Sequence, residues 1–203
     1  MLTLRVSQLD TYRAWVEEEE TDLGWILNAL TAREETELMR KGTAFHKCLE
    51  KAFQGRVERL EADGYTFEFT LDCELALPDI REIRLEHDYG GITVTGRIDA
   101  IRGRHIRDHK TTSSFDAERF IHGYQWRLYL DIAGADRFTW NVFEMDEVGP
   151  RIYNVYALHV LEQYRYPGLH EDCARLAREC RDFCAVHLPG YDVTPEPELE
   201  EAS

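Results

Sequence analysis

The sequence predicts an α/β domain in which helices flank a central mixed β-sheet. Three observations predict it. Apolar residues recur at three- and four-residue steps near both ends, strand-like alternation fills the middle, and the two patterns succeed one another as helix, helix, strands, helix, strands, helix. No fixed-period repeat or linker-like stretch divides the chain, and 203 residues suffice for one core burying about 70% of the unfolded surface. A single domain over residues 1–190 is expected, followed by an acidic, flexible tail, 191–203, ending PEPELEEAS.

Taken in order, Ser7 is placed to cap a first helix reaching about Glu20, with Leu9, Tyr12, Trp15 and Val16 on one side. A second helical pattern runs from about Glu35 to Ala62 through Leu38, Phe45, Cys48, Leu49 and Leu60, with Gly42 and Gly55 able to bend it. Strands follow at Tyr65 to Leu71, Ile83 to His87, Ile92 to Ile101 and Arg104 to Lys110. Asp116 opens a helix through about Ile132; Phe138 to Phe143 and Ile152 to Leu158 read as two more strands, and a last helix spans about Glu171 to His187 before Leu188-Pro189-Gly190.

Composition narrows the function classes. Hydrophobic residues make up 43%, with four Trp, nine Phe and ten Tyr, so a true core can form. No run approaches the roughly 20 apolar residues of a membrane span, and the start lacks a charged stretch leading into an apolar one, so a cytoplasmic protein is expected. Five cysteines are an odd count for a disulfide scaffold; Cys48, Cys173, Cys180 and Cys184 lie on helical patterns as small core residues. A formal charge of −15 argues against a surface that coats polyanions everywhere. A local track remains, because seven Arg/Lys face four Asp/Glu between Gly91 and Leu130.

Within that track, GRIDAIRGRHIRDHKTT (residues 96–112) sets Asp99, Asp108 and Lys110 around a short break. A two-residue turn at Arg102-Gly103 would place Asp99 opposite Ile106, with Asp108 as its diagonal neighbour at about 7 Å and Lys110 on the same face; a three-residue turn would reverse the parity. Two carboxylates so placed repel, which raises one pKa or recruits a cation. Lys110 is one candidate; a divalent ion such as Mg²⁺, which prefers hard oxygen ligands, is another. Ordinary cross-strand pairing of surface charges is the plainer alternative. His109 falls on the opposite face, so its carbonyl rather than its ring should meet a metal.

Three further residues join the set. His46 stands beside the apolar stripe of the second helix, in KGTAFHKCLE, and Gln125 and Tyr129, in YQWRLYL, lie four apart on one helical face. The chain thus reads G-x-x-x-H, G-x-I-D, D-H-K-T-T and Q-x-x-x-Y in order.

That order resembles the RecB-like branch of the PD-(D/E)XK nuclease superfamily, which includes phage exonucleases and CRISPR-associated adaptation exonucleases. The resemblance implies a restriction-endonuclease-like fold. It also implies that His46, Asp99, Asp108 and the carbonyl of His109 bind Mg²⁺ or Mn²⁺, that Asp99, Asp108 and Lys110 are catalytic, and that Gln125 and Tyr129 support the site and contact the nucleic-acid backbone. Arg97, Arg102, Arg104, Arg107 and Arg127 would supply phosphate contacts, and Phe115, Tyr124 and Trp126 are candidates for stacking on exposed bases.

Some relatives hold a four-iron cluster; here Ala14 and Trp15 stand where its first cysteine would fall, and Cys173, Cys180 and Cys184 are spaced C-x6-C-x3-C, so no iron–sulfur cluster is expected. The function expected is a metal-dependent DNA exonuclease of recombination, repair or phage DNA processing, with a helicase or single-strand annealing protein as a possible partner. A structure-specific endonuclease and a non-catalytic module binding a protein partner are the alternatives.

Overall fold

Alternating apolar residues in the middle of the chain become a single mixed sheet. The computed structural model describes residues 2–18, 22–31, 36–51, 58–71 and 80–190. Among these it forms eight strands: β1 (Leu2–Arg5), β2 (Arg59–Ala62), β3 (Tyr65–Phe69), β4 (Ile80–Asp88), β5 (Ile92–Arg102), β6 (His105–Thr112), β7 (Arg137–Gly149) and β8 (Ile152–Tyr164). Their order is β1-β5-β6-β7-β8-β3-β2, with β4 also paired to β5. β1 and β5, β6 and β7, and β3 and β8 run parallel, while the remaining pairs are antiparallel. The sheet is therefore mixed, as the sequence predicts.

Among the described residues six helices cover it: α1 (Val6–Glu17), α2 (Leu23–Thr31), α3 (Glu37–Lys51), α4 (Ala117–His122), α5 (Gln125–Ile132) and α6 (Leu169–His187). The described residues form two separate cores. The larger joins Leu9, Ile26, Ile98, Ile106, Leu128, Phe138, Trp140 and Ala177 with their neighbours from α1, α2, α5 and α6. A smaller one lies under α3, where Phe45 meets Phe67 and Phe143 edge-on, each with ring centroids 4.9 Å apart. Each fully buried side chain of this kind stabilises the fold by about 1.5–3 kcal/mol. Cys173, Cys180 and Cys184 face the larger core and Cys48 the smaller.

Several boundaries differ from those expected. The first helix starts at Val6, not after Ser7, because the Arg5 backbone N–H donates to Gln8 Oε1 at 2.8 Å and closes the N-terminus. Leu2–Arg5 is consumed by pairing with β5. α2 has no counterpart in the sequence reading. The expected second helix is described as α3 as far as Lys51, and Arg59–Ala62, expected to be helical, is a strand because it pairs with β3; residues 52–57 lie outside the described residues. Asp116 does cap a helix, accepting from the Glu118 N–H at 3.0 Å, but the chain breaks at Gly123-Tyr124 into α4 and α5. The acidic tail, 191–203, also lies outside the described residues.

Candidate active site

The site forms where the ladder between β5 and β6 opens. Gly103 adopts φ 58° as the first of two central turn residues, where a II′-type hairpin prefers glycine. The turn is thus Gly103-Arg104, not Arg102-Gly103, and the pairs are Arg102↔His105, Ile101↔Ile106 and Ala100↔Arg107. This corrects the expected partner of Asp99, while the even turn length keeps the expected parity. Beyond Ala100 the carboxylate of Asp99 takes the place of a backbone partner: the His109 N–H donates to Asp99 Oδ2 at 2.7 Å.

His46 reaches this gap from α3. Its Nδ1 lies 3.1 Å from Asp99 Oδ1 and its Nε2 2.8 Å from the His109 carbonyl oxygen. Both contacts are acceptors, so the ring donates twice and is an imidazolium. Burial alone lowers its pKa, but the hydrogen bond and charge of Asp99 more than offset this and raise it. An imidazolium has no lone pair for a cation; to ligate one, His46 would have to release a proton.

Asp108 and Lys110 project beside Trp140. Lys110 Nζ lies 2.7 Å from Asp108 Oδ2 and 5.4 Å from the Trp140 ring centroid. Asp108 is 2% exposed, and its Oδ2 lacks a well-aligned hydrogen bond despite the nearby ammonium. Burial raises the Asp108 pKa, with the Asp99 charge adding to it and Lys110 opposing it. For Asp99, the hydrogen bond from His46 and the charges of His46 and Lys110 overcome burial and lower the pKa. Burial also depresses the Lys110 pKa, yet the two carboxylates more than compensate and it stays a cation. The ring of His109 packs toward Phe143, away from Lys110, with its pKa lowered to about 4 by burial, and is neutral.

These residues fit a hard cation. Two carboxylates, one with a buried oxygen lacking an aligned hydrogen bond, and the His109 carbonyl form an oxygen-donor set of the kind Mg²⁺ or Mn²⁺ takes. Among the described residues no three His, Cys, Asp or Glu side chains stand together as a ready cage. His46 would have to give up a proton before its ring joined the set.

The Q-x-x-x-Y helix lies behind the site. Tyr129 is 5% exposed, and its hydroxyl donates to the Arg97 carbonyl at 2.9 Å, with Gln125 reaching the same phenol. That placement makes Tyr129 a support for β5. It also explains the glycine of G-x-I-D: a Cβ on Gly96 would lie 2.5 Å from Tyr129 Cε1 and 2.9 Å from Val6 Cγ2. Asp10 is a residue the sequence reading missed. Its carboxylate accepts the Tyr124 and Gln125 N–H groups and so fixes the start of α5, while burial raises its pKa. No local pattern signals it, because the contact joins residues 114 positions apart.

The arginines are less gathered. Arg102 and Arg104 stand at the hairpin tip, where Arg104 is paired with Asp136. Arg127 donates to the carbonyls of His122 and Gly123 and lies over the rings of Tyr124 and Trp126 at 4.8 and 4.4 Å. Arg97 is exposed on β5, and Arg107 faces partly outward from β6. Of the stacking candidates, Trp126 is buried, Phe115 packs on His159 at 3.8 Å, and the Tyr124 ring is met by the guanidinium groups of Arg13 and Arg127.

Sheet and site together define a restriction-endonuclease-like α/β domain. The family model of the PD-(D/E)XK nuclease superfamily matches residues 65–198, and the chain belongs to that superfamily. Its members are phosphodiester hydrolases that typically use divalent metals. Two solved structures are similar: SSO0001, at 18% identity over 98% of this chain and 81% of that one (TM-score 0.48), and LHK-Exo in complex with dAMP, at 10% identity over 90% and 92% (TM-score 0.44). A search of curated proteins found no match. No helix among the described residues is long and apolar enough to cross a membrane.

Proposed function

We propose that the chain is a divalent-metal-dependent deoxyribonuclease of the RecB-like branch, an exonuclease of recombination, repair or phage DNA processing in the cytoplasm. The observation that carries this reading is Asp108: a buried carboxylate whose Oδ2 lies 2.7 Å from the partly exposed Lys110 ammonium and whose pKa is raised by burial and by the charge of Asp99. For folding alone such a group is costly; for holding a cation it is suited.

In this reading Asp99, Asp108 and the His109 carbonyl would hold Mg²⁺ or Mn²⁺, and a deprotonated His46 ring would complete the set. A bound ion would supply charge neutralisation at the scissile phosphate and a more acidic water. Lys110, a cation kept beside Asp108, orients the attacking water and stabilises charge on the phosphoryl oxygens. Asp99 holds His46 and the His109 N–H and so fixes the β5–β6 gap. Gln125 and Tyr129 keep β5 in place from behind. Beyond Lys110, Arg97, Arg107 and Arg127 would offer the substrate backbone further cations, and Arg102 and Arg104 would extend the track toward the hairpin tip.

End-labelled linear DNA and covalently closed circles, digested with Mg²⁺, Mn²⁺ or EDTA, test the reading. Metal-dependent shortening of the linear substrate alone supports an exonuclease, and cutting of closed circles points to an endonuclease. No degradation of any DNA would leave a non-catalytic module that binds a protein partner, a reading the charge of −15 favours.

A further inference from the structure

Gly42 is a helix-interior glycine that packing among the described residues does not require. It sits within α3, where glycine is a poorer helix former than alanine. A Cβ at Gly42 would meet nothing within 4 Å among the described residues, whereas one at Gly96 would collide with Tyr129 and Val6. Gly96 makes room for a neighbour inside the fold; at Gly42 no described residue uses the room.

The residues that share its flank point to what uses that room. At about 100° per residue, Leu38, Met39, Gly42 and His46 fall along one side of α3, next to the stripe of Phe45, Cys48 and Leu49 that fills the smaller core. Leu38 is 73% and Met39 45% exposed, so two large apolar side chains stand in water. At the other end of the same flank His46 touches Asp99 and the His109 carbonyl. Gly42 is four residues, about 6 Å along the helix axis, from His46.

We propose that this flank of α3 carries the nucleotide next to the scissile phosphate of a DNA strand, its sugar-phosphate passing over Gly42 and a base face resting on Met39 and Leu38. The proposal deepens the nuclease reading above and rests on it. Continuity with the site selects this occupant, since any strand held at Asp99 and Asp108 must leave past a neighbouring surface, and this one begins at His46. The chemistry agrees: Leu38, Met39 and Gly42 carry no charge, which suits the apolar face of a base, while phosphate is met by Lys110.

The test uses the full chain with Asp108→Ala to stop cleavage, titrated against a 5′-fluorescein oligodeoxythymidine of about twelve nucleotides and read by fluorescence anisotropy beside a thermal melt. Gly42→Leu is expected to weaken binding at least about tenfold, and Met39→Ala about three- to tenfold, while the melting temperature of Gly42→Leu stays equal or rises, since leucine is the better helix former. Unchanged affinity in both variants overturns the proposal and hands the flank to a protein partner. Affinity that falls only together with the melting temperature overturns it as well. Failure of the nuclease reading looks different: the unmodified protein then cuts no DNA, and the Asp108→Ala parent binds no oligonucleotide, so the flank has no strand to carry.

Discussion

At the closed end of the β5–β6 ribbon, Arg104 pairs with Asp136 in open solvent, with side chains 66% and 56% exposed. At the open end, Lys110 pairs with Asp108, whose side chain is 2% exposed. The two pairs have the same chemistry and opposite consequences. An exposed pair is screened and trades water for little, so it neither stabilises much nor constrains its surroundings. A buried carboxylate is costly to keep ionised, and its pKa rises; a further cation beside it relieves that cost. Depth, not residue type, separates a decorative charge pair from a site.

The sharpest way to break the comparison is Asp108→Ala. In the nuclease reading it reduces cleavage of end-labelled DNA by at least about a thousandfold, and Lys110→Met by about 10²–10⁴-fold, with oligonucleotide binding by Asp108→Ala largely retained; residual wild-type rates in either variant would return the buried pair to a structural role. Next in size is Gly96→Val, whose side chain must displace Tyr129 or Val6: a destabilisation of about 1–3 kcal/mol in urea unfolding is expected, along with lost cleavage, and an unchanged midpoint would show that the Tyr129 ring has room to move.

A pH series sharpens the contrast. Because the folded pKa of Asp108 is raised, to about 6, its share of stability is fully present below the ordinary aspartate value and is lost as pH climbs from about 4 to about 6. Asp99, lowered in the fold, acts in the opposite sense, and its contribution fades only in stronger acid. Asp108→Asn should therefore flatten the stability curve between about pH 4 and 6, as read from denaturant midpoints; a wild-type curve without that decline would contradict the raised value. The smallest effect belongs to the other end of the ribbon: Arg104→Ala should leave the melting temperature unresolved from wild type.

Much of this was legible in the sequence. Alternation and helical periodicity yield the element order and the mixed sheet, and the spacing of Asp99, Asp108 and Lys110 singles out the ribbon. Other features depend on partners distant in the chain. Arg59–Ala62 continues the helical pattern of α3, and only pairing with Tyr65–Phe69 makes it a strand. LGWILNALT, apolar almost all round, offers no polar face by which to recognise α2. The hairpin turn was misplaced by one residue because glycine suits either central position of a tight turn, depending on its type. That the β5–β6 ladder opens after Ala100, with Asp99 standing in for a backbone acceptor, has no local signature; neither has Asp10, which holds the start of α5.

The two cores divide the site between them. His46 rides on α3, which rests on the smaller core of Phe45, Phe67 and Phe143, whereas Asp108 and Lys110 stand beside Trp140 in the larger. Regional opening of the smaller unit would withdraw the imidazole while leaving both acidic groups in position on their strands. Amide exchange should accordingly find α3 less protected than α5 and α6, so that loss of function on warming precedes global melting.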